Sequence, residues 1–128
     1  MKLLLDTNIF LRMMTDESLL SRTAKAAIAD RNNEVFVSAV CAWEIAIKIA
    51  IGKIRLSDPI ELFMSEGIRK AKAAELPIRI AHTVRVASLP MHHRDPFDRL
   101  LLAQAQVESL TIVTSDQQRA AYGLPMVW

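Results

Sequence analysis

The 128-residue sequence predicts an α/β fold with a mostly parallel sheet and helices on both faces. Three observations carry that prediction. Short unbroken apolar runs, "KLLL" at residues 2–5, "EVFV" at 34–37 and "LTIVT" at 110–114, read as strands, the first buried on both faces. Stretches of helical character, roughly 10 to 15 residues long, separate these runs, the alternation expected of βαβ units. No repeat, low-complexity tract or Pro/Gly/Ser-rich linker divides the chain, and three glycines leave room only for short connections, so residues 1–128 are read as a single domain.

The elements follow in order. "KLLL" runs into Asp6-Thr7-Asn8, a strand end. Asp16, Glu17 and Ser18 open a helix reaching Ala29, since acids favour a helix's positive end. Asn32-Asn33 supplies the turn before the second strand. Ser38 can cap a helix from Ala39 to about Ile51, with Gly52 placed to stop it. Asp58-Pro59 with Glu61 predicts an N-cap, a first-turn proline and a capping-box acid. A weaker strand is expected in "LPIRI" near residue 78, its boundary blurred by the basic, alanine-rich "IRKAKAAEL" before it. Asp95-Pro96 starts a helix to Glu108, and "PMVW" closes the chain as a last strand.

Composition narrows the functional classes. Hydrophobic residues make up 52% and charged residues 23%, which excludes a disordered tail. A chain this long can bury roughly two thirds of its unfolded surface, enough for a real core. A net charge of +2 is too small to imply a polyanionic partner by itself. Cys41 is the only cysteine, so neither an internal disulfide nor a cysteine zinc site is possible, and a reducing cytoplasm is the expected location. "MKLLLDTNIF" is too short and too soon interrupted for a signal peptide or spanning helix, so the mature chain is expected to begin at or near Met1, with no membrane partner.

Ligands in open α/β sheets bind outside the carboxyl ends of the strands, and Asp6 and Asp116 both follow strands at that edge. Either alone is more often a turn former or cap. Glu44 lies in the apolar stretch "SAVCAWEIAIKIAIGK". Lys48, four residues on, offers it an ion pair, yet Val40, Cys41, Ile47 and Ile51 on its side point it inward, and both readings stand. In "HHRDPFDRLL", Asp95 is the expected N-cap before Pro96. Asp98 shares a stripe with Leu101, Leu102 and Ala105, while Arg99, Ala103 and Gln106 are expected to turn elsewhere; it is either a dipole-favoured first-turn acid or a pocket ligand. Four acids from four elements would repel one another unless a cation neutralises them, and an all-oxygen anionic site suits Mg2+ or Mn2+.

"LLLDTN", "SAVCAWEIAIKIAIGKI", "LPMHHRDPFDRLLLAQA" and "TIVTSD" followed by "AAYGLPMVW" together resemble the PIN-domain ribonucleases, and within them the VapC-type toxins of type II toxin–antitoxin pairs, over essentially the whole chain. The resemblance implies a three-layer α/β/α sandwich with a central, mostly parallel sheet and a pocket of acids holding Mg2+ or Mn2+. Carried over by position, the acids are Asp6, Glu44, Asp98 and Asp116, supported by Thr114 and Asn8. Asp6 and Asp98 are expected as main ligands, Glu44 as a ligand or water-positioning group, and Asp116 as a ligand directly or through water. The implied activity is hydrolysis of RNA phosphodiester bonds, with an antitoxin protein and a second toxin copy as partners. A mean hydropathy of +0.20 is consistent with an apolar surface for such partners to cover.

The sequence departs from the family pattern at Cys41, where Ser is frequent, and at Arg119, where an aromatic is frequent and where an altered pocket rim is expected. RNA affinity is assigned to a basic rim drawn from Arg12, Lys48, Lys53, Arg55, His92, His93 and Arg94. With 5% aromatic residues, base stacking on an open sheet is not expected. His92 and His93, adjacent on one loop without partner ligands, are not read as a zinc site, and Trp43 and Trp128 are read as packing or interface residues. Two competing readings are a receiver-like signalling module binding Mg2+ and a metal-free, inactive protein of the same fold that acts by interaction.

Overall fold

The computed structural model describes residues 1–128. Five parallel strands, β1 Lys2–Leu5, β2 Glu34–Ser38, β3 Ala74–Leu76, β4 Thr111–Val113 and β5 Met126–Val127, form one sheet in the order β3-β2-β1-β4-β5. The helices are α1 Thr7–Thr15, α2 Arg22–Ala29, α3 Ala39–Ala50, α4 Ile60–Lys70, α5 Ile80–Arg85 and α6 Pro96–Glu108, with 3-10 turns at Glu17–Leu19, Val86–Ser88 and Gln117–Tyr122.

Successive side chains of a strand point to opposite faces, and this alternation builds two cores. Leu3, Leu5, Val35, Val37 and Val113 pack with Ile9, Phe10 and Met13 of α1, Ala24 and Ala27 of α2, and Phe63 of α4. Leu4 and Ile112 face the other way, onto Leu101, Leu102 and Ala105 of α6. Helices thus cover both faces, and the three-layer α/β/α sandwich is as expected. β1 lies in the middle, with Leu4 opposite Phe36 of β2 on one side and Ile112 of β4 on the other. Consecutive connections run outward from β1 to β3 and then return to β4, so the strand order switches direction between β1 and β4. That crevice is where α/β sheets bind ligands.

Several local expectations are revised. The chain enters α1 directly after β1, because Asp6 accepts the backbone N–H of Asn8 and caps that helix; the helix expected from Asp16 to Ala29 is a 3-10 turn capped by Asp16 and then α2 capped by Ser21. Pro59, not Asp58, occupies the N-cap of α4, and no side chain caps it. The third strand ends at Leu76, before Pro77, which has no N–H to continue a ladder, and Ile80 begins α5 where the strand was expected. His82 anchors that short helix from inside: fully buried, it accepts the Arg79 N–H at Nδ1 and places Nε2 2.8 Å from Glu108. Ser38, Gly52 and Asp95 act as expected, Ser38 and Asp95 as caps and Gly52 in a left-handed turn (φ 76°) just past α3.

α6 also differs from the single stripe expected of it, since every residue from Arg99 to Ala105 is buried. Arg99 does not turn to solvent. Its guanidinium donates to the carbonyls of Val86, Leu89, Pro90 and His93, at 2.8 to 3.4 Å, and so ties the loop before α6 onto the helix. Gly67 sets the approach of α4 to α1. A Cβ there would lie 2.2 Å from the Phe10 ring.

Candidate active site

Asp6 and Asp116 take their places from their caps. Asp6 is the N-cap of α1, and Asp116 caps the 3-10 turn after β4 by accepting the N–H of Gln118 at 2.9 Å. Thr114, fully buried between them, donates its hydroxyl to Asp6 Oδ2 at 2.6 Å and accepts the Asp116 N–H at 3.1 Å. One hydroxyl therefore links the acids at the ends of β1 and β4, which is the support expected of Thr114. Asn8 supports Asp6 too, through its backbone N–H at 3.2 Å, while its side chain is exposed.

Asp98 comes from the first turn of α6, where the Asp95 carboxylate accepts the N–H groups of Phe97 and Asp98. A cap and a pocket residue thus lie three positions apart. Asp6, Asp98 and Asp116 converge on Arg119. Its Nη2 donates to Asp98 Oδ1 and lies 3.4 Å from Asp6 Oδ2, and its Nε lies 3.7 Å from Asp116 Oδ2. Arg119 is 2% exposed, so it stands inside the pocket and not on its rim. The 3-10 turn explains this, because it brings position 119 back over its own cap at 116. The signal available in sequence was that three-residue spacing.

Glu44 has its ion pair on its own helix. It is buried, and its Oε2 receives Lys48 Nζ at 2.6 Å, so the inward orientation and the ion pair weighed as alternatives both occur. That bond raises the Lys48 pKa. The Asp98 pKa is also raised, chiefly by burial; Arg119 opposes this, and the charges of Asp95, Asp6 and Glu44 add to it. Three carboxylates facing one guanidinium leave a formal negative excess in the pocket. Behind Glu44, burial pushes the Cys41 thiol up to about 12.

Of the basic residues assigned to the rim, Lys53, Arg55, His92 and Arg94 are exposed. Lys48 is held by Glu44, and Arg12 donates to Ser115 Oγ at 3.1 Å with its guanidinium 5.8 Å from the Trp128 ring. His93 turns inward, stacked on Tyr122, with Nε2 3.2 Å from Asp116 Oδ2. Trp43 is half exposed and packs edge-on against Phe97, beside Asp98.

In this arrangement no three carboxylate, histidine or cysteine groups are spaced to hold one ion. The chemistry of the set still fits a hard divalent cation. All donors are carboxylate oxygens, three acids already face a common positive group, and the charge there exceeds what that group neutralises.

A parallel α/β/α sandwich with acids gathered at the switch point between its central strands defines the class. The PIN domain model matches residues 3–123, and the chain belongs to that family. It is 32% identical over 59 residues to Ribonuclease VapC16 of Mycobacterium tuberculosis; the match spans 46% of this chain and 42% of that relative, so more than half of the relative lies outside it. Similar solved structures include VapBC2 from Rickettsia felis bound to a DNA fragment from their promoter (TM-score 0.74, 15% identity, 98% of this chain and 97% of that one). DNA-bound VapBC from Salmonella typhimurium is a second (TM-score 0.71, 15% identity, 98% and 96%). At that identity the likeness concerns the fold. Membership of the PIN family removes the receiver-like alternative, and no helix is long and apolar enough to cross a membrane.

Proposed function

We propose that this protein is a metal-dependent endoribonuclease and the toxin of a toxin–antitoxin pair. The observation that carries this reading is the convergence of Asp6, Asp98 and Asp116 on one cationic group in the crevice between β1 and β4. Asp6 and Asp98 are the main ligands for Mg2+ or Mn2+, Asp116 binds directly or through water, and Glu44 is a ligand or positions water. Such an ion, when bound, lowers the pKa of a water and neutralises phosphate oxygens during in-line displacement. Thr114 and the Asn8 N–H hold Asp6 in one orientation, so its carboxylate does not have to be ordered during the reaction.

An acidic pocket does not attract RNA unaided, and Lys53, Arg55, His92 and Arg94 provide exposed positive or polar contacts for its backbone, with Arg12 and Lys48 closer in. The antitoxin reading is supported by the VapBC complexes whose fold this chain shares, and pairing with a second copy by exposed apolar side chains on α5, Ile80 and Val84. A cytoplasmic site of action follows from the RNA substrate.

The test is cleavage of total RNA by the purified protein with Mn2+, with EDTA, and by Asp6→Asn. Cleavage with Mn2+ that EDTA and the substitution abolish is the expected result. Wild-type rates in a folded Asp6→Asn protein would refute the assignment. The second reading, an inactive protein of this fold that acts by interaction, draws on Arg119 filling the pocket, and predicts no cleavage in any arm.

A further inference from the structure

Arg119 has no part in the reaction as described, yet it is among the most buried charged groups of the chain. Its surroundings differ from those of the other buried arginine. Arg99 donates to four backbone carbonyls, a fitted set of acceptors that makes it a structural staple. Arg119 donates one hydrogen bond, to Asp98, and its remaining attachments are charge contacts at 3.4 and 3.7 Å. Its Nε and Nη1 are buried without a hydrogen-bond partner. A guanidinium placed this way is held by the field of the acids and not by a matching set of acceptors. It also sits on a short 3-10 turn between Asp116 and Gly123, so leaving the pocket requires side-chain rotation and no unwinding of an α-helix.

We propose that Arg119 is the resident cation of this pocket: without metal its guanidinium pairs with Asp6, Asp98 and Asp116 and offsets part of their charge, and a divalent ion enters only in exchange for it. The inference rests on reading the pocket as a divalent-metal site. It makes the chain its own competitor for the ion. Two positive charges cannot share three carboxylates at these distances without mutual repulsion, so whatever Arg119 contributes to the metal-free protein is subtracted from metal affinity. Metal-free protein then keeps a positive group among its acids and stays folded at low metal concentration.

The experiment compares EDTA-treated wild type with Arg119→Gln by calorimetric titration of Mn2+, with thermal melts in EDTA alongside. Arg119→Gln should bind Mn2+ tighter by roughly tenfold or more, and should melt lower than wild type in EDTA and recover with Mn2+. A second measurement uses the wild type alone, so that misfolding of the variant cannot decide the matter: the Arg119 Nε–H resonance, protected from exchange without metal, should shift and exchange freely at saturating Mg2+. Equal Mn2+ affinities, or an Arg119 resonance unmoved while Mg2+ binds, would overturn the exchange and leave the metal site standing. Absence of Mn2+ binding by both proteins would overturn the metal reading itself, and the exchange with it.

Discussion

The Thr114 hydroxyl can be removed with little change of shape by Thr114→Val, which takes away the donor to Asp6 and the acceptor for the Asp116 N–H together. The first loss is the larger. Asp6 is 3% exposed, so water cannot replace the donor to its Oδ2, and a hydrogen bond to a buried charged group contributes about 1.5–3 kcal/mol. The Asp116 N–H lies nearer the surface, where water can take over, and adds about 0.5–1 kcal/mol. Together, about 2–4 kcal/mol would be lost, a large part of the roughly 5–15 kcal/mol typical of a folded domain. Arg119, 3.4 Å from the same Asp6 oxygen, can recover part of it by moving closer. Urea unfolding followed by circular dichroism measures the effect; with a slope of about 2 kcal/mol/M, the midpoint should fall by about 1–2 M at unchanged slope. A midpoint within about 0.2 M of wild type would mean that Asp6 does not depend on Thr114, and that the link between β1 and β4 is not what orients the acid.

Two further outcomes follow from the packing and the charges. Gly67→Ala forces a Cβ to within 2.2 Å of the buried Phe10 ring; the strain of about 1–3 kcal/mol outweighs the roughly 1 kcal/mol that alanine gains in a helix, so the melting temperature should drop, and a rise would show that α1 and α4 separate freely. Asp98 has a raised pKa in the folded chain, so folding takes up a proton on it, and its contribution to stability falls as pH rises from the ordinary aspartate range through the higher folded value. In EDTA at neutral pH, Asp98→Asn should therefore melt no lower than wild type despite losing the Arg119 contact, with its advantage shrinking as pH falls through the raised folded value and gone below about pH 4; a clearly lower melting temperature at pH 7 would show that the ion pair outweighs the burial.

The strands were legible because burial on both faces leaves unbroken apolar runs, and "KLLL", "EVFV" and "LTIVT" lie within a residue of β1, β2 and β4 at each end. Caps with short polar side chains were legible for a local reason, since Ser38 and Asp95 bond N–H groups two or three residues away. The same locality misled where two signals overlapped. Asp-Thr-Asn after β1 marks both a strand end and a helix start, and only the buried Ile9, Phe10 and Met13 decide for α1. The exposed Ile80 reads as strand by composition, whereas α5 exists because His82, three residues from Arg79, is pinned inside by Glu108.

The acids divide in the same way. Sequence by itself determined that Asp6 and Asp116 end strands and that Asp98 lies in a helix's first turn; that these three and Glu44 share one edge of the sheet was an expectation. The family resemblance implied a supporting bond from Thr114. Tertiary structure alone decided what those acids face. Whether Arg119 lies on the rim or among the carboxylates depends on how a 3-10 turn after β4 packs against the start of α6, 21 residues apart in sequence. Local hydrogen bonds are written in neighbouring residues. Charge balance in a buried pocket is a sum over groups brought together only by folding.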